Sequence, residues 1–135
     1  MSEEDGGVVA RATVRMGETR YAADIRAGAH ALVADEPKSA GGGDAGPSPF
    51  GLLLSSLGAC TAITLRMYAE RKQWPLGAIE VQLSYRWRDE AGAVERVLTL
   101  AGLDASQRAR CAEIAEKTPV TRALKRGMTI TTVVQ

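Results

Sequence analysis

Apolar and polar residues alternate most cleanly in AIEVQLSYRWRD (Ala78 to Asp89). Ile79, Val81, Leu83, Tyr85 and Trp87 fall on one face, and Glu80, Gln82, Ser84, Arg86 and Arg88 on the other. A period of two predicts a half-buried strand. Glu90-Ala91-Gly92 turns, and VERVLTLAG (Val94 to Gly102) returns as its partner. Near the N-terminus, VVARATVRM (Val8 to Met16), TRYAADIRAG (Thr19 to Gly28) and AHALVADE (Ala29 to Glu36) read as a three-stranded meander, with a turn at Gly17-Glu18. Residues 1–7 read as a loose tail ahead of one domain over 8–135. PKSAGGGDAGP (Pro37 to Pro47) reads as a flexible loop, long enough for function to be expected of it.

The pattern changes after that loop. Ser48-Pro49 starts a helix, the serine capping free N–H groups and the proline suiting the first helical position. The helix runs to Arg71 or Lys72, and Gln73-Trp74-Pro75 ends it. Its core is apolar on every side, which predicts a buried central helix. Gly51 and Gly58 each cost about 1 kcal/mol against Ala there, so the glycines imply close approach of a neighbour or a local break. Asp104 caps a second helix to about Lys117, with Gln107 closing a capping box. Thr118-Pro119 starts a third, which Gly127 stops after Arg126. MTITTVV (Met128 to Val134) reads as a last strand. The result is an α+β domain: three-stranded meander, buried helix, hairpin, two helices, C-terminal strand. One small sheet cannot cover every face of the central helix, and a second subunit would supply the rest.

Composition removes several functions. The 135 residues carry a formal charge of +1 with both signs interspersed, so no strong field favours nucleic acid or an anionic membrane. Two Trp, three Tyr and one Phe do not interleave with a basic stripe, against base stacking. The uncharged stretch from Ala45 to Leu65 has an apolar core shorter than the ~20 residues of a membrane span. MSEEDGG lacks a signal peptide's basic and apolar regions, so a cytoplasmic location is expected. With two cysteines and one histidine, and no CxxC, no metal ligand set is expected. GGGD (Gly41 to Asp44) lacks phosphate-loop spacing. His30, without a Ser or Cys partner at a defined spacing, reads as structural or exposed. Lys117 to Arg126 suits a helix C-terminus better than a nucleic-acid patch.

The chemistry therefore rests on thiols. Cys60, inside the apolar helix, is either a small packed residue or a reactive thiolate favoured by a nearby arginine or a new helix N-terminus if the chain breaks at Gly58. Cys111 lies seven residues before Thr118, close to two turns or about 10 Å along the axis. A disulfide needs Cα atoms within roughly 7 Å. Packing near Ile114 and Ala115 is the simpler role for Cys111. Arg66 and Arg71 suit the helix surface or a subunit contact.

GGGDAGPSPFGLLLSSLGACTAITLRMYAERKQWPLGAIEV (Gly41 to Val81) strongly resembles the OsmC/Ohr family of osmotically inducible and organic hydroperoxide resistance proteins. LDASQRARCAEIAEKTPVTRAL (Leu103 to Leu124) resembles its second helical segment. The resemblance covers nearly the whole chain from about Val8. It implies an intertwined homodimer with Cys60 as peroxidatic thiol at a site between subunits. It also implies an arginine from the N-terminal hairpin near the sulfur, Arg20 in preference to Arg15. Organic hydroperoxides are the implied substrates, with Phe50, Leu53 and Leu57 as pocket walls, and no cofactor is called for.

Three departures qualify this. Thr118 stands where the family carries its second cysteine, Thr121 where a histidine is usual, and Phe50 and Gly51 where a glutamate follows the Ser-Pro turn. Resolution of an oxidised Cys60 would then need an external thiol reductant, or Cys111. Three functions stay open: a thiol peroxidase, a non-catalytic relative binding a small apolar ligand in the dimer cleft, and a redox sensor capped by a low-molecular-weight thiol.

Overall fold

The structure, a computed structural model, describes residues 7–135. Apart from Gly7, the predicted N-terminal tail lies outside the described residues. The described residues divide into two compact units, the first ending at Leu52 and the second spanning Leu53–Gln135. In the first, β1 (Ala12–Arg15), β2 (Ala23–Ala27) and β3 (His30–Ala34) form an antiparallel sheet in the order β1-β2-β3. Val14 faces Ile25, and Ile25 faces Leu32, across the ladder. This is the expected meander with shorter strands. Val8 and Val9 extend past the paired register and stay exposed.

The loop after β3 departs from the flexible segment expected of its composition. Asp35 is buried, and its two carboxylate oxygens accept from Glu36 N–H at 2.7 Å and Ala45 N–H at 3.1 Å. Asp35 N–H donates to the Pro47 carbonyl at 3.1 Å, and Asp44 N–H to the Glu36 carbonyl at 3.1 Å. One carboxylate thus closes the loop at both ends. The glycines allow this close fit: a Cβ on Gly42 would lie 2.1 Å from the Glu36 carbonyl oxygen, and one on Gly46 the same distance from that of Val33.

Helix α1 (Pro49–Lys72) begins as expected, with Gly51 N–H donating to Ser48 Oγ at 3.1 Å. It runs without a break through Gly58. The alternative reading of that glycine is the one realised: a Cβ there would lie 2.9 Å from Leu83 Cδ1. After α1, strands β4 (Ile79–Arg88) and β5 (Ala91–Leu100) form a two-stranded antiparallel hairpin. Its turn falls on Asp89 and Glu90, both at positive φ, one residue earlier than the glycine suggested. A two-residue turn of this hand matches the strand twist. Helix α2 (Ala105–Ala115) starts with the reciprocal Asp104–Gln107 capping box, and α3 (Pro119–Arg126) starts on Thr118.

The core of the second unit gathers Leu65 and Ala69 of α1, Leu76, Leu100, Leu103, and Cys111 and Ile114 of α2. Arg66 ties the end of α1 to the following turn, donating to the Leu76 carbonyl at 2.7 Å. Burial along α1 is confined to Leu57, Gly58, Thr61, Leu65 and Ala69, one stripe spaced by four residues. The expectation of a helix covered on all sides is therefore not met within one chain. Ile63 and Met67 remain exposed, because a two-stranded hairpin and two short helices cover a single face. At 24 residues α1 is longer than the apolar core read from the sequence and meets the length and composition of a membrane span, a test that the core helix of a folded domain also passes. The expected C-terminal strand likewise finds no ladder partner among the described residues. Met128, Ile130, Val133 and Val134 are all exposed.

The backbone N–H of Ala45 holds the Asp35 carboxyl below its ordinary pKa, assisted by those of Glu36 and Gly43. A lowered folded pKa gives stability that is complete above the unfolded value and lost as pH falls through the folded one. Asp35→Asn should therefore lower the urea midpoint at neutral pH. The gap to wild type should close in strong acid, read from urea melts at both pH values.

Candidate functional site

The two thiols have opposite environments. Cys60 is partly exposed on α1, and Cys111 is completely buried on α2. Burial pushes the Cys111 thiol up from its ordinary pKa, away from the thiolate that redox chemistry needs. Its neighbours are Leu65, Leu100, Leu103 and Ile114, the setting of a small packed residue. Because α1 is continuous, no new helix N-terminus points at Cys60. Cys60 follows Leu57 by three positions and directly precedes Thr61. Leu57 and Thr61 belong to the buried stripe, and Cys60 borders it.

That stripe leads to a cation the sequence reading passed over. Arg96 lies on β5 in the row Val94, Arg96, Leu98, Leu100, and its side chain is 12 % exposed. Its Nη1 donates to Thr61 Oγ1 on α1 and to Thr121 Oγ1 on α3, each at 2.9 Å. Its Nη2 donates to the Ala115 carbonyl at the end of α2 at 3.0 Å, and stands 3.6 Å from Glu116 Oε1. Glu116 also pairs with Lys125. A charged residue in the inward register of a strand was the available signal.

Thr118 and Thr121 complete the network. Both are buried, their hydroxyl oxygens 2.6 Å apart, and Thr121 Oγ1 also donates to the Ala115 carbonyl at 3.1 Å. Thr61 Oγ1 donates to the Leu57 carbonyl at 2.7 Å. Hydrogen bonds therefore run from Thr118 through Thr121 and Arg96 to Thr61, beside Cys60. Among the described residues no buried side-chain polar atom lacks a partner.

A cleft of about 410 Å³ opens beside this network. Leu57, Val94 and Leu124 give it apolar walls, and Arg96, Glu116 and Lys125 a charged end. Of the three residues expected to wall a pocket, Leu57 lines this cleft. Phe50 and Leu53 are exposed along the first turns of α1. Arg20 belongs to the first unit, where its guanidinium lies over the Tyr21 ring, 5.4 Å from the centroid. Arg15 pairs in register with Asp24 on the same sheet. His30 is exposed at the start of β3. Among the described residues no group of three or more His, Cys, Asp or Glu is placed to hold a metal ion.

This α+β arrangement recurs in solved structures. An OsmC-like protein from Mycoplasma pneumoniae matches with a TM-score of 0.70 at 15% identity, covering 86% of each chain. The organic hydroperoxide resistance protein OsmC from Legionella pneumophila gives 0.65 at 18% identity, covering 87% of this chain and 90% of that one. The organic hydroperoxide resistance protein OhrB of Bacillus subtilis gives 0.63 at 22%, covering 87% and 91%. The family model for OsmC-like proteins matches residues 41–133. The chain belongs to the OsmC-like family. No curated protein matches it by sequence.

The contrast between the thiols is directly measurable. In native buffer iodoacetamide should label Cys60 and spare Cys111, with Cys111 reacting once urea unfolds the chain. Peptide mass analysis reads both sites, and native labelling of Cys111 would contradict its placement.

Proposed function

We propose that this protein is a thiol-dependent reductase of organic hydroperoxides, with Cys60 as the peroxidatic thiol. The observation that carries the reading is the partial exposure of Cys60 on α1, within the segment matched to the OsmC-like family, while Cys111 is sealed in the core. Two of the similar structures are described as organic hydroperoxide resistance proteins.

In the proposed reaction the Cys60 thiolate attacks the terminal peroxide oxygen. The O–O bond breaks, an S–O bond forms, and the alkoxide leaves and takes a proton. Cys60 becomes a sulfenic acid, and the hydroperoxide becomes an alcohol. An external thiol then condenses with the sulfenic acid, releasing water, and a second thiol reduces the mixed disulfide. External resolution follows from Thr118 and from the burial of Cys111, which leaves no second thiol at the surface among the described residues. In the assembled protein Arg20, Phe50, Leu53 and Leu57 serve the site as arginine and apolar walls. The working compartment is the cytoplasm.

A second reading is favoured by the threonine at position 118. A relative without internal resolution would bind a small apolar ligand against Leu57, Val94 and Leu124 rather than reduce it. One equivalent of cumene hydroperoxide added to the reduced protein separates the two. The enzyme gains one oxygen within seconds by intact mass, and Cys60→Ser does not. No gain over minutes would sink the peroxidase and leave the binder.

The same site calls for a homodimer. The uncovered faces of α1 and the unpaired Met128–Val134 segment are apolar surface that a second copy would bury. Light scattering should give twice the 14.3 kDa chain mass. A monomeric mass at micromolar protein would refute the assembly.

A further inference from the structure

The residue least accounted for by packing is Arg96. Its neighbours in the inward row of β5 are aliphatic, and a leucine there would continue the core without a charge. Removing a guanidinium from water is costly unless its donors are met. The carboxylate paired with it among the described residues, Glu116, is 56 % exposed, 3.6 Å away and shared with Lys125, so it neutralises the cation weakly. What meets the donors is a set of groups from three helices: the Thr61 hydroxyl, the Thr121 hydroxyl and the Ala115 carbonyl. Thr61 is equally out of place. It interrupts the apolar stripe Leu57, Leu65, Ala69 and is completely buried. Its hydroxyl is also committed to the Leu57 carbonyl one turn back. The paired exceptions, one on the strand and one on the helix, meet at the residue next to Cys60.

We propose that Arg96 is a positioning residue for the thiol. Through its hydrogen bond to Thr61, it fixes the turn of α1 that carries Cys60. The inference deepens the thiol reading above and takes its purpose from it. It assigns the work to an arginine of the β4–β5 hairpin, in the same unit as the thiol. Fixing the turn from inside the helix bundle keeps the Cys60 side chain in one orientation, as near-attack geometry at a peroxide oxygen requires.

The test is the rate of native alkylation by iodoacetamide, read separately for Cys60 and Cys111. The variants are Arg96→Met, Arg96→Lys, Thr61→Val, and the double Arg96→Met/Thr61→Val. Losing a hydrogen bond to a charged group suggests about tenfold slower Cys60 alkylation at neutral pH in Arg96→Met and in Thr61→Val. Arg96→Lys, which can restore one donor to Thr61, should fall between the wild type and Arg96→Met. The double variant should be no slower than Arg96→Met alone, because the two side chains act as one unit. Cys111 should stay protected throughout.

Unchanged or faster Cys60 alkylation overturns the proposal. So does parallel labelling of Cys111, which would mean that the variants only loosen the core. Should Arg96→Met fail to fold, Thr61→Val still decides, since it removes one hydroxyl and keeps the side chain's shape. Alkylation needs no hydroperoxide. A wild-type protein that alkylates at Cys60 yet takes no oxygen from cumene hydroperoxide therefore strikes the peroxidase reading and not the clamp.

Discussion

One guanidinium organises the second unit. Arg96 enters a region where water is scarce and each of its donors needs an acceptor. The acceptors come from α1, from the end of α2 and from α3, so the three helices cannot shift independently without leaving a donor unmet. Apolar contacts among Leu65, Leu100 and Ile114 give the unit its cohesion. Such contacts tolerate sliding and rotamer exchange. The directional bonds around Arg96 do not, so the core supplies most of the burial and the arginine supplies the register.

The elements that chain-local chemistry specifies were legible in the sequence. The β4–β5 hairpin follows from strict alternation, α2 from Asp104 and Gln107, and α3 from Thr118, Pro119 and Gly127. The start of α1 follows from Ser48 and Pro49. Each is decided by residues of its own stretch of chain. What could not be read depends on groups far apart in the chain. The segment Pro37–Pro47 has the composition of a free loop, yet Asp35 ties it ten residues on, at Ala45. Gly58 offered two readings, and only Leu83, twenty-five residues away, selects between them. The extent of burial along α1 depends on what lies opposite each of its faces, and Met128–Val134 has a strand's composition without a ladder partner among the described residues.

The candidate site shows the same division. Cys60 and the positions of Thr118 and Thr121 came from the motif that places the chain in its family. Arg96 has no motif. Its signal was a charge on the inward row of β5, and that row is visible only once the hairpin register is fixed. Thr118 and Thr121 appeared first as losses, the places of an absent cysteine and histidine. In the structure they are also participants. The Thr121 hydroxyl gives the largely buried guanidinium an acceptor and the Thr118 hydroxyl caps α3, roles that neither an imidazole nor a thiol would fill in the same way.

The burial of Cys111 bears on how long such a protein lasts. A thiol at the surface is oxidised at a rate set by its own chemistry. A thiol sealed among leucines is oxidised only during excursions that open the core. Oxidation beyond the sulfenic stage at Cys111 would put a polar, charged group where only apolar contacts exist, and refolding around it would be blocked. The lifetime of the fold under oxidising conditions is then governed by how often the second unit opens, a property of its packing.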